Sequence, residues 1–474
     1  MTSPLLTPTP RSSARLFDPK LLIGVLVVAA LLVISLFTGV YDIAGADDGA
    51  QMFQITRIPR TIALVLAGAA MAMAGLVMQL LTQNRFVEPT TTGTTEWAGL
   101  GLLIVMVLVP QPSLALRMAG AVLAAFVGTM VFFAFLRRVA LKSSLIVPIV
   151  GIMLGAVVGA ITTYFALATN SLQIIGVWFA GSFTSVMRGQ YEMLWIVALI
   201  GVIVFLVADR LTIAGLGEEV ATNVGVNYNR MILLGTALIA VTTGVVTVVV
   251  GNLPFLGLIV PNIVSMVRGD DLRSNLPWVC LLGIAIVTVC DIIGRTIIMP
   301  FEVPVSLILG VVGAVVVVVA EATMTATPAP RTTRSAGAFT TPRARRRYIV
   351  VLVVLGVIAL GSAFGLLAWD NPLPVGTPGF WRIAQHRATA VVVMALVAVA
   401  QAVATVSFQT VTNNRIITPS IMGFESLYRV VQTTTVYLFG VAGLVAIQGV
   451  GQFALQVLVM VGLAVVLYGW LLSG

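Results

Sequence analysis

The chain has 474 residues, of which 59% are hydrophobic and 9% are charged, and its mean hydropathy is +1.09. These values exclude a water-soluble globular domain, and the formal net charge of +9 is more typical of basic cytoplasmic loops than of a nucleic-acid-binding surface. One histidine and two cysteines form no cluster with metal-ligand spacing, so neither a metal nor a cofactor is expected. The chain lacks a G-x-x-x-x-G-K-[ST] loop, so it is not expected to be an ATPase.

The N-terminal tail, residues 1–20, is polar and basic and precedes an apolar run. That run, near 21–41, is too long for the hydrophobic region of a typical signal peptide. We therefore predict a cytoplasmic tail followed by an uncleaved first membrane helix.

Apolar runs of about 18–25 residues, the length that crosses roughly 30 Å of hydrocarbon as a helix, recur along the chain. They predict an all-α polytopic membrane protein with about ten spans in a complete first unit, 21–322, and about four in a partial second unit, 348–474. The first-unit spans are expected near 21–41, 60–81, 97–110, 116–136, 145–168, 192–208, 230–250, 254–267, 277–295 and 304–322. The second-unit spans are expected near 348–368, 386–410, 425–446 and 450–472.

Between the two units, residues 323–347 are rich in Pro, Thr and Arg and have no apolar periodicity. This composition predicts a flexible cytoplasmic linker. Four arginines directly before the next span agree with the excess of positive charge found in cytoplasmic loops.

A repeated motif supports the division into two units. QLLTQNRFVEPTTTG at 79–93 and QTVTNNRIITPSIMG at 409–423 share six of fifteen residues, where average composition gives roughly one match by chance. Two parallel copies of one unit are typical of transporters. A full second copy would need roughly another 180 residues beyond Gly474, so we expect a fragment, a truncated product or a partial unit completed by another polypeptide.

Three arginines fall on the predicted outer side. Arg57 and Arg60 follow the first span and Arg295 follows the ninth, although positive charge is disfavoured outside. They could bind carboxylates of another protein. The competing interpretation, which the pattern alone favours, is snorkelling at the interface or an i,i+4 pair of Asp291 with Arg295.

A glycine-flanked loop follows the sixth span on the predicted cytoplasmic side. GLGEEVATNVGVNYNR at 215–230 predicts a short amphipathic helix with two glutamates in its first turn, where the helix dipole favours them. It could bind a cytoplasmic partner or be an ordinary interfacial loop. The residues that define it are Gly215, Gly217, Glu218, Glu219 and Gly225.

Two further features concern the pathway. Pro254 and Pro261 predict a broken or kinked helix, and discontinuous helices often border transport pathways. Glu302, just before the last span of the first unit, is expected to act at a helix N-terminus. The predicted spans are nearly free of charged residues, which argues against an ion-coupled carrier and for energy supplied from elsewhere.

Together these motifs resemble the permease subunits of binding-protein-dependent ABC importers for iron-siderophores, haem and cobalamin. The resemblance covers 20–325 and, more weakly, 348–474. The motifs that carry it are TRIPRTIALVLAGAAMAMAGLVMQ at 56–79, NRFVEPTTTGTTEWAGLG at 84–101, WFAGS at 178–182, GLGEEVATNVGV at 215–226, FLGLIVPNIVSMVRGDDLR at 255–273 and EVPVSLILGVVGA at 302–314.

The resemblance implies a multi-pass permease in the bacterial plasma (inner) membrane, surrounded by lipid, with an iron-siderophore as its substrate. It implies ten helices per complete unit and two units around a central path. Its implied partners are two cytoplasmic ABC ATPase subunits and an extracytoplasmic substrate-binding protein, and no nucleic acid.

The resemblance also assigns roles to residues. It implies that Arg57, Arg60 and Arg295 dock acidic residues of the binding protein, and that 215–226 contacts the ATPase. Departures from the family pattern are Asn262 and Leu272, each at the position of a usual histidine. In the second unit, Thr389 and Ala390 stand where the first has Pro59 and Arg60.

Two alternatives to an ABC permease remain open at this stage. One is an ion-coupled or energy-independent carrier, which would be favoured by carboxylates placed inside the membrane. The other is a membrane scaffold that transports nothing.

Overall fold

The computed structural model describes most of the predicted helical segments. The described residues are 19–39, 48–138, 146–313, 342–369, 371–411, 424–446, 454 and 457–466. Contacts divide the chain into two compact units, Met1–Pro328 and Ala329–Gly474. Nearly all of the predicted cytoplasmic tail and most of the predicted linker lie outside the described residues.

The first unit is helical throughout its described part, apart from its connecting loops. A π-helical turn, Phe53–Arg57, joins α2 to α3, and a 3₁₀ turn, Tyr191–Leu194, precedes α8. The helices are α1 (Pro19–Phe37), α2 (Gly49–Met52), α3 (Ile58–Thr82), α4 (Thr94–Leu108), α5 (Leu114–Arg138), α6 (Ile146–Ala168), α7 (Leu172–Phe179), α8 (Trp195–Gly215), α9 (Glu218–Asn223), α10 (Tyr228–Val249), α11 (Leu256–Arg268), α12 (Leu272–Thr296) and α13 (305–313).

Among the described residues, nine helical segments are long and apolar enough to cross a membrane. Seven belong to the first unit and two to the second. The spans predicted near 97–110 and 254–267 correspond to the shorter apolar helices α4 and α11. The all-α, multi-span prediction is therefore confirmed, with helix ends within a few residues of those expected for most spans.

Helix α3 lies at the centre of the first unit, where it packs against α8, α10, α11 and α12. Small residues permit this. A Cβ atom placed on Gly75 would lie 2.0 Å from the carbonyl oxygen of Gly257 in α11, and one on Gly68 would lie 3.0 Å from that of Gly283 in α12. Close approach of helix backbones through glycine is the usual means of helix packing in membranes.

The predicted break near Pro254 is present. Helix α10 ends at Val249, residues 250–255 are not helical apart from a turn, and α11 begins at Leu256. Phe255, at the N-cap of α11, has the left-handed backbone (φ 64°), an unusual conformation for a residue with a β-carbon. Pro261 lies inside α11, so the discontinuity is at 250–255 rather than at this proline.

The first copy of the repeated motif surrounds the start of α11. The fully buried carboxylate of Glu88 accepts a hydrogen bond from the Phe255 amide (2.8 Å). Gln79 Nε2 donates to the Gly257 carbonyl (3.2 Å), and Asn262 Nδ2 donates to the Arg85 carbonyl (2.9 Å). Burial raises the pKa of Glu88 to about 7, although hydrogen bonds from Thr90 and from the backbone of α11 oppose the rise.

The second unit begins inside the predicted linker, because α14 starts at Pro342, where a proline suits the first helical turn. Helices α14 and α15 pack against each other, and α16 contains a break at Gly440 (φ 67°). The second copy of the motif is outside the described residues from 412 to 423. The second-unit helices are α14 (Pro342–Ala368), α15 (Pro378–Val411), α16 (Phe424–Ala446) and α17 (Val457–Val466).

Candidate functional site

The two surfaces singled out by the sequence lie at opposite ends of α3. Arg60 is in its first turn, and Leu80 in its last, about 30 Å away at 1.5 Å per residue. At the C-terminal end of α3, Gly215 lies against Leu80, and Gly217 lies against the side chain of Gln83. A helix of membrane-crossing length therefore separates the arginines from α9.

Five charged residues meet at the first end, and we call them the arginine cluster. The π-helical turn and the first turn of α3 supply two arginines, the end of α12 supplies an aspartate and an arginine, and the segment between α12 and α13 supplies a glutamate. The cluster consists of Arg57, Arg60, Asp291, Arg295 and Glu302.

The register of α3 against α12 explains why the cluster forms. The backbones of the two helices are in close contact where Gly68 meets Gly283. Arg60 precedes Gly68 by eight residues in α3, and Asp291 follows Gly283 by eight residues in α12. Each is therefore about 12 Å from the glycine contact along its own helix axis. Because the helices are antiparallel, both residues lie at the same end of the bundle, where the two side chains pair.

Arg60 binds both carboxylates of the cluster. Its Nη2 and Nε atoms lie 2.7 and 3.1 Å from Asp291 Oδ1, and its Nη1 atom lies 2.9 and 3.1 Å from the two oxygens of Glu302. The planar guanidinium fork suits such a double contact. Arg60 thus links α12 to the segment that precedes α13.

The guanidinium of Arg295 makes its contacts with groups inside the protein. Its Nη2 atom lies 2.6 Å from Asp291 Oδ2, so the i,i+4 pair considered from sequence is present. The same guanidinium donates to the backbone carbonyls of Ser35 (2.9 Å) and Thr38 (2.7 Å) at the end of α1. With 1% exposure, Arg295 fastens α1 to α12, and its side chain does not form part of the accessible surface.

Arg57 and Glu302 complete the cluster. Arg57 donates to the Thr38 carbonyl and forms no ion pair with a carboxylate among the described residues. We expected Glu302 to act at a helix N-terminus, whereas its carboxylate binds Arg60 and accepts a hydrogen bond from Thr184 Oγ1 (2.5 Å). Its side chain is 26% exposed, against 0% for Asp291, so Glu302 is the outermost anion of the cluster.

Electrostatics keep Glu302 ionised. Burial alone would raise the pKa of Glu302, but the charge of Arg60 and the hydrogen bond from Thr184 outweigh burial and hold the pKa below its usual value. The Arg60–Glu302 pair therefore contributes fully at neutral pH and is lost as the pH falls through that lowered pKa.

The structure thus brings together all three arginines predicted from sequence. Sequence reasoning did not identify the contributions of Ser35, Thr38 and Thr184. Each is separated from its charged partner by at least 19 residues in the chain, and no local pattern marks such contacts.

The second surface is α9, the short helix that the glycine-flanked loop predicts. Gly217 (φ 107°) precedes it and Gly225 (φ 86°) follows it, both in backbone conformations that favour glycine. Ala221 is fully buried against the bundle, while Glu218 and Glu219 are exposed.

An apolar stripe covers the outer side of α9. Val220 and Val224 are exposed by 42% and 63% and, four residues apart, share one face of α9 and its C-terminal cap. Leu216, exposed by 63%, lies just before the helix. An exposed apolar stripe on a helix held by a buried alanine suits a partner with an apolar groove.

Comparison with known proteins identifies the family. The FecCD transport family matches residues 21–321 and 349–473. The chain belongs to the FecCD transport family. This membership confirms the resemblance found in the sequence, and it makes the chain a multi-pass transport permease of the bacterial inner membrane rather than an enzyme.

Two relatives and one solved structure illustrate the similarity. The petrobactin import system permease protein FatD of Bacillus anthracis is 63% identical over 302 residues, which cover 64% of this chain and 90% of FatD. FatC, the petrobactin import system permease protein of the same species, is 48% identical over 141 residues, which cover 30% of this chain and 40% of FatC. A metal-chelate-type ABC transporter in an inward-facing conformation matches in fold, with a TM-score of 0.57 and 24% identity over 65% of this chain and 100% of that chain.

The shared position of Asp291 between two arginines leads to a stability prediction. Asp291→Asn should lower the free energy of unfolding by about 3–5 kcal/mol, because Arg295 loses its carboxylate and Arg60 loses one of two in a buried site. Chemical denaturation of the detergent-purified protein measures the change.

The matched control is Asp209→Asn, the same substitution in the exposed pair of Asp209 with Arg273 (2.9 Å). Loss of an exposed pair should cost about 0–1 kcal/mol. Equal losses for the two variants would show that the arginine cluster does not depend on Asp291.

Proposed function

We propose that this chain is the membrane-spanning permease of an ABC importer that carries an iron-siderophore complex into the cell. Separate cytoplasmic ATPase subunits supply the energy, and an extracytoplasmic binding protein delivers the ligand. The observation that carries the proposal is the FecCD match along both units, together with 63% identity to a petrobactin import permease. That relative supports the siderophore class of substrate.

The organisation of the permease belongs to the same proposal. Residues 21–322 form a complete permease unit and residues 348–474 form part of a second unit. Residues 323–347 join them on the cytoplasmic side, and the last six of these already belong to α14. The family match to both 21–321 and 349–473 supports this division.

An ion-coupled carrier is less well supported. Such a carrier needs a carboxylate inside the membrane that gains and loses an ion during transport. Asp291 lies near the end of α12, where two arginines neutralise it. Glu88 lies in a loop, where its carboxylate is bound to the start of α11.

The arginine cluster is proposed as the docking surface for the binding protein, in agreement with the roles expected for Arg57, Arg60 and Arg295. Three arginines and two carboxylates leave a net charge of +1, which attracts an acidic partner. Arg295, which is 1% exposed, holds the cluster in place, whereas Arg57 and Arg60, each 9% exposed, present the guanidinium edges that meet the partner.

Helix α9 is proposed as the contact with the ATPase. The residues expected from sequence, Gly215, Gly217, Glu218, Glu219 and Gly225, flank the helix or lie in its first turn. Its exposed apolar residues support this role, as does the approach of Gly215 and Gly217, which precede the helix, to Leu80 and Gln83 at the end of α3.

Uptake of radioactive iron tests the transport proposal. Deletion of the gene from its source bacterium should abolish uptake of one class of ⁵⁵Fe-loaded siderophore, and the wild-type gene should restore it. Catecholate and hydroxamate chelates are compared in parallel. Inactivation of the partner ATPase at its catalytic residues should abolish the same uptake, because this chain has no phosphate-binding loop; uptake that persists without ATP hydrolysis would favour an ion-coupled or passive carrier.

Charge reversal tests docking. Arg57→Glu should weaken binding of the binding protein to the nanodisc-embedded permease by on the order of tenfold, because like charges would then face each other. Arg57 is chosen because it has no carboxylate partner in the described part of the chain, so its reversal spares the buried pairs. Arg210→Glu, the same change on the exposed C-terminal part of α8, is the control and should leave affinity unchanged; the docking proposal is wrong if the two variants behave alike.

A charge placed in the apolar stripe tests coupling. Val220→Asp should lower assembly with the ATPase and ligand-stimulated ATP hydrolysis roughly tenfold or more, since a buried unpaired carboxylate is costly at an interface. Thr222→Asp adds the same charge to an exposed position on another face of α9 and should have little effect. Co-purification and ATPase assays measure both, and normal coupling in Val220→Asp would exclude the stripe as the contact.

A further inference from the structure

We propose that Glu302 is an internal substitute for the partner's carboxylate: it occupies Arg60 in the free permease and releases it when the binding protein docks. This ion-pair exchange rests on the proposed docking function and assigns Glu302 and Thr184 a regulatory role in it.

The geometry of Arg60 defines which contact can be exchanged. The inner edge of its guanidinium, Nε and Nη2, faces Asp291, and its Nη1 atom faces Glu302. Asp291 has no exposed surface, whereas the Glu302 side chain is 26% exposed. An incoming carboxylate can therefore reach only the position that Glu302 fills.

The inner half of the cluster is fixed during such an exchange. Asp291 is bound by both Arg60 and Arg295, and Arg295 is in turn held by the carbonyls of Ser35 and Thr38. Arg60 consequently keeps its orientation when its outer partner changes. Because its guanidinium is preorganised, Arg60 loses little conformational entropy when the partner's carboxylate binds.

Glu302 is placed where it can move. It lies in the segment between α12 and α13, three residues before the first helical residue of α13. The amides of Phe301 and Val303 hold the backbone on either side of it, so Glu302 moves by rotation about its own side-chain bonds. Besides Arg60, its partner is the exposed Thr184, whose hydroxyl lies 2.5 Å from Glu302 Oε2. This hydroxyl strengthens the internal pair and can bind water once Glu302 has turned away.

The exchange has two consequences for docking. Since one ion pair is broken for each one formed, the cluster does not retain an isolated carboxylate strongly, and a partner must add contacts elsewhere. Glu302 also returns to Arg60 when the partner leaves, which favours dissociation at the end of a transport cycle. Removal of Glu302, which competes with the partner for Arg60, should therefore raise the affinity of the permease for the binding protein. Removal of a residue that supports docking would lower that affinity.

The test is the affinity of the importer's own binding protein for the nanodisc-embedded permease, measured by biolayer interferometry. Glu302→Gln should bind roughly two- to fivefold more tightly, the fold-change that corresponds to loss of a partly exposed ion pair. Thr184→Val should also tighten binding, because it releases Glu302 without changing the charge of the site. Both variants keep the buried pair of Arg60 with Asp291, and a thermal unfolding midpoint near that of the wild type verifies folding.

Glu192→Gln is the matched control for charge. Glu192 is exposed, follows the same loop as Thr184, and accepts a hydrogen bond from the Gly189 amide. It makes no contact with Arg60, so its neutralisation should change affinity less than that of Glu302.

Two results would overturn the exchange. Weaker binding of Glu302→Gln and Thr184→Val would show that Glu302 positions Arg60 for the partner. Equal tightening by Glu302→Gln and Glu192→Gln, with Thr184→Val unchanged, would show a general effect of charge. In both cases docking itself stands as long as Arg57→Glu weakens binding; if Arg57→Glu has no effect, docking is wrong and the exchange fails with it.

Discussion

The close approach of α3 to α12 through glycine is the constraint on which the arginine cluster depends. Gly68 and Gly283 allow the two backbones to touch, and this contact sets the register that brings Arg60 opposite Asp291. A larger residue at either position would separate the helices and lengthen the buried ion pair. In this bundle, van der Waals packing of small residues therefore determines where charge can be buried.

The arginine cluster shows how a bundle end in a membrane protein can contain five charged groups. Each buried charge costs several kcal/mol of desolvation unless oppositely charged and hydrogen-bonding groups surround it. Asp291 meets this requirement with two arginines, and Arg295 meets it with Asp291 and with the carbonyls of Ser35 and Thr38 at and just beyond the end of α1. The result is a firm inner network with one accessible pair, Arg60 with Glu302, at its edge.

Helix α3 also connects the two ends of the unit. Its first turn carries Arg60, its last turn packs against Gly215 beside α9, and the loop that follows it surrounds the start of α11. The broken helix, the segment that leads into α9 and the arginine cluster thus all contact α3 or the loop that follows it.

The sequence by itself determined the class of protein, the positions of the helices and the family. Apolar runs of membrane-crossing length are a local property, because a helix in lipid must satisfy its own backbone hydrogen bonds. Helix α9 was also predicted from local sequence, because its flanking glycines adopt conformations that favour glycine. The break between α10 and α11 was likewise predicted locally. Arg57, Arg60 and Arg295 were also identified from their positions relative to the predicted spans.

Only the tertiary structure decided how these residues are used. Arg295 is buried against α1, and Glu302 binds Arg60 and Thr184 instead of serving its own helix. Such pairings join residues more than one hundred positions apart, so their energy depends on which helices pack together and in which register. Local sequence carries no information about that register, because it is set by the small residues of two distant helices meeting in space.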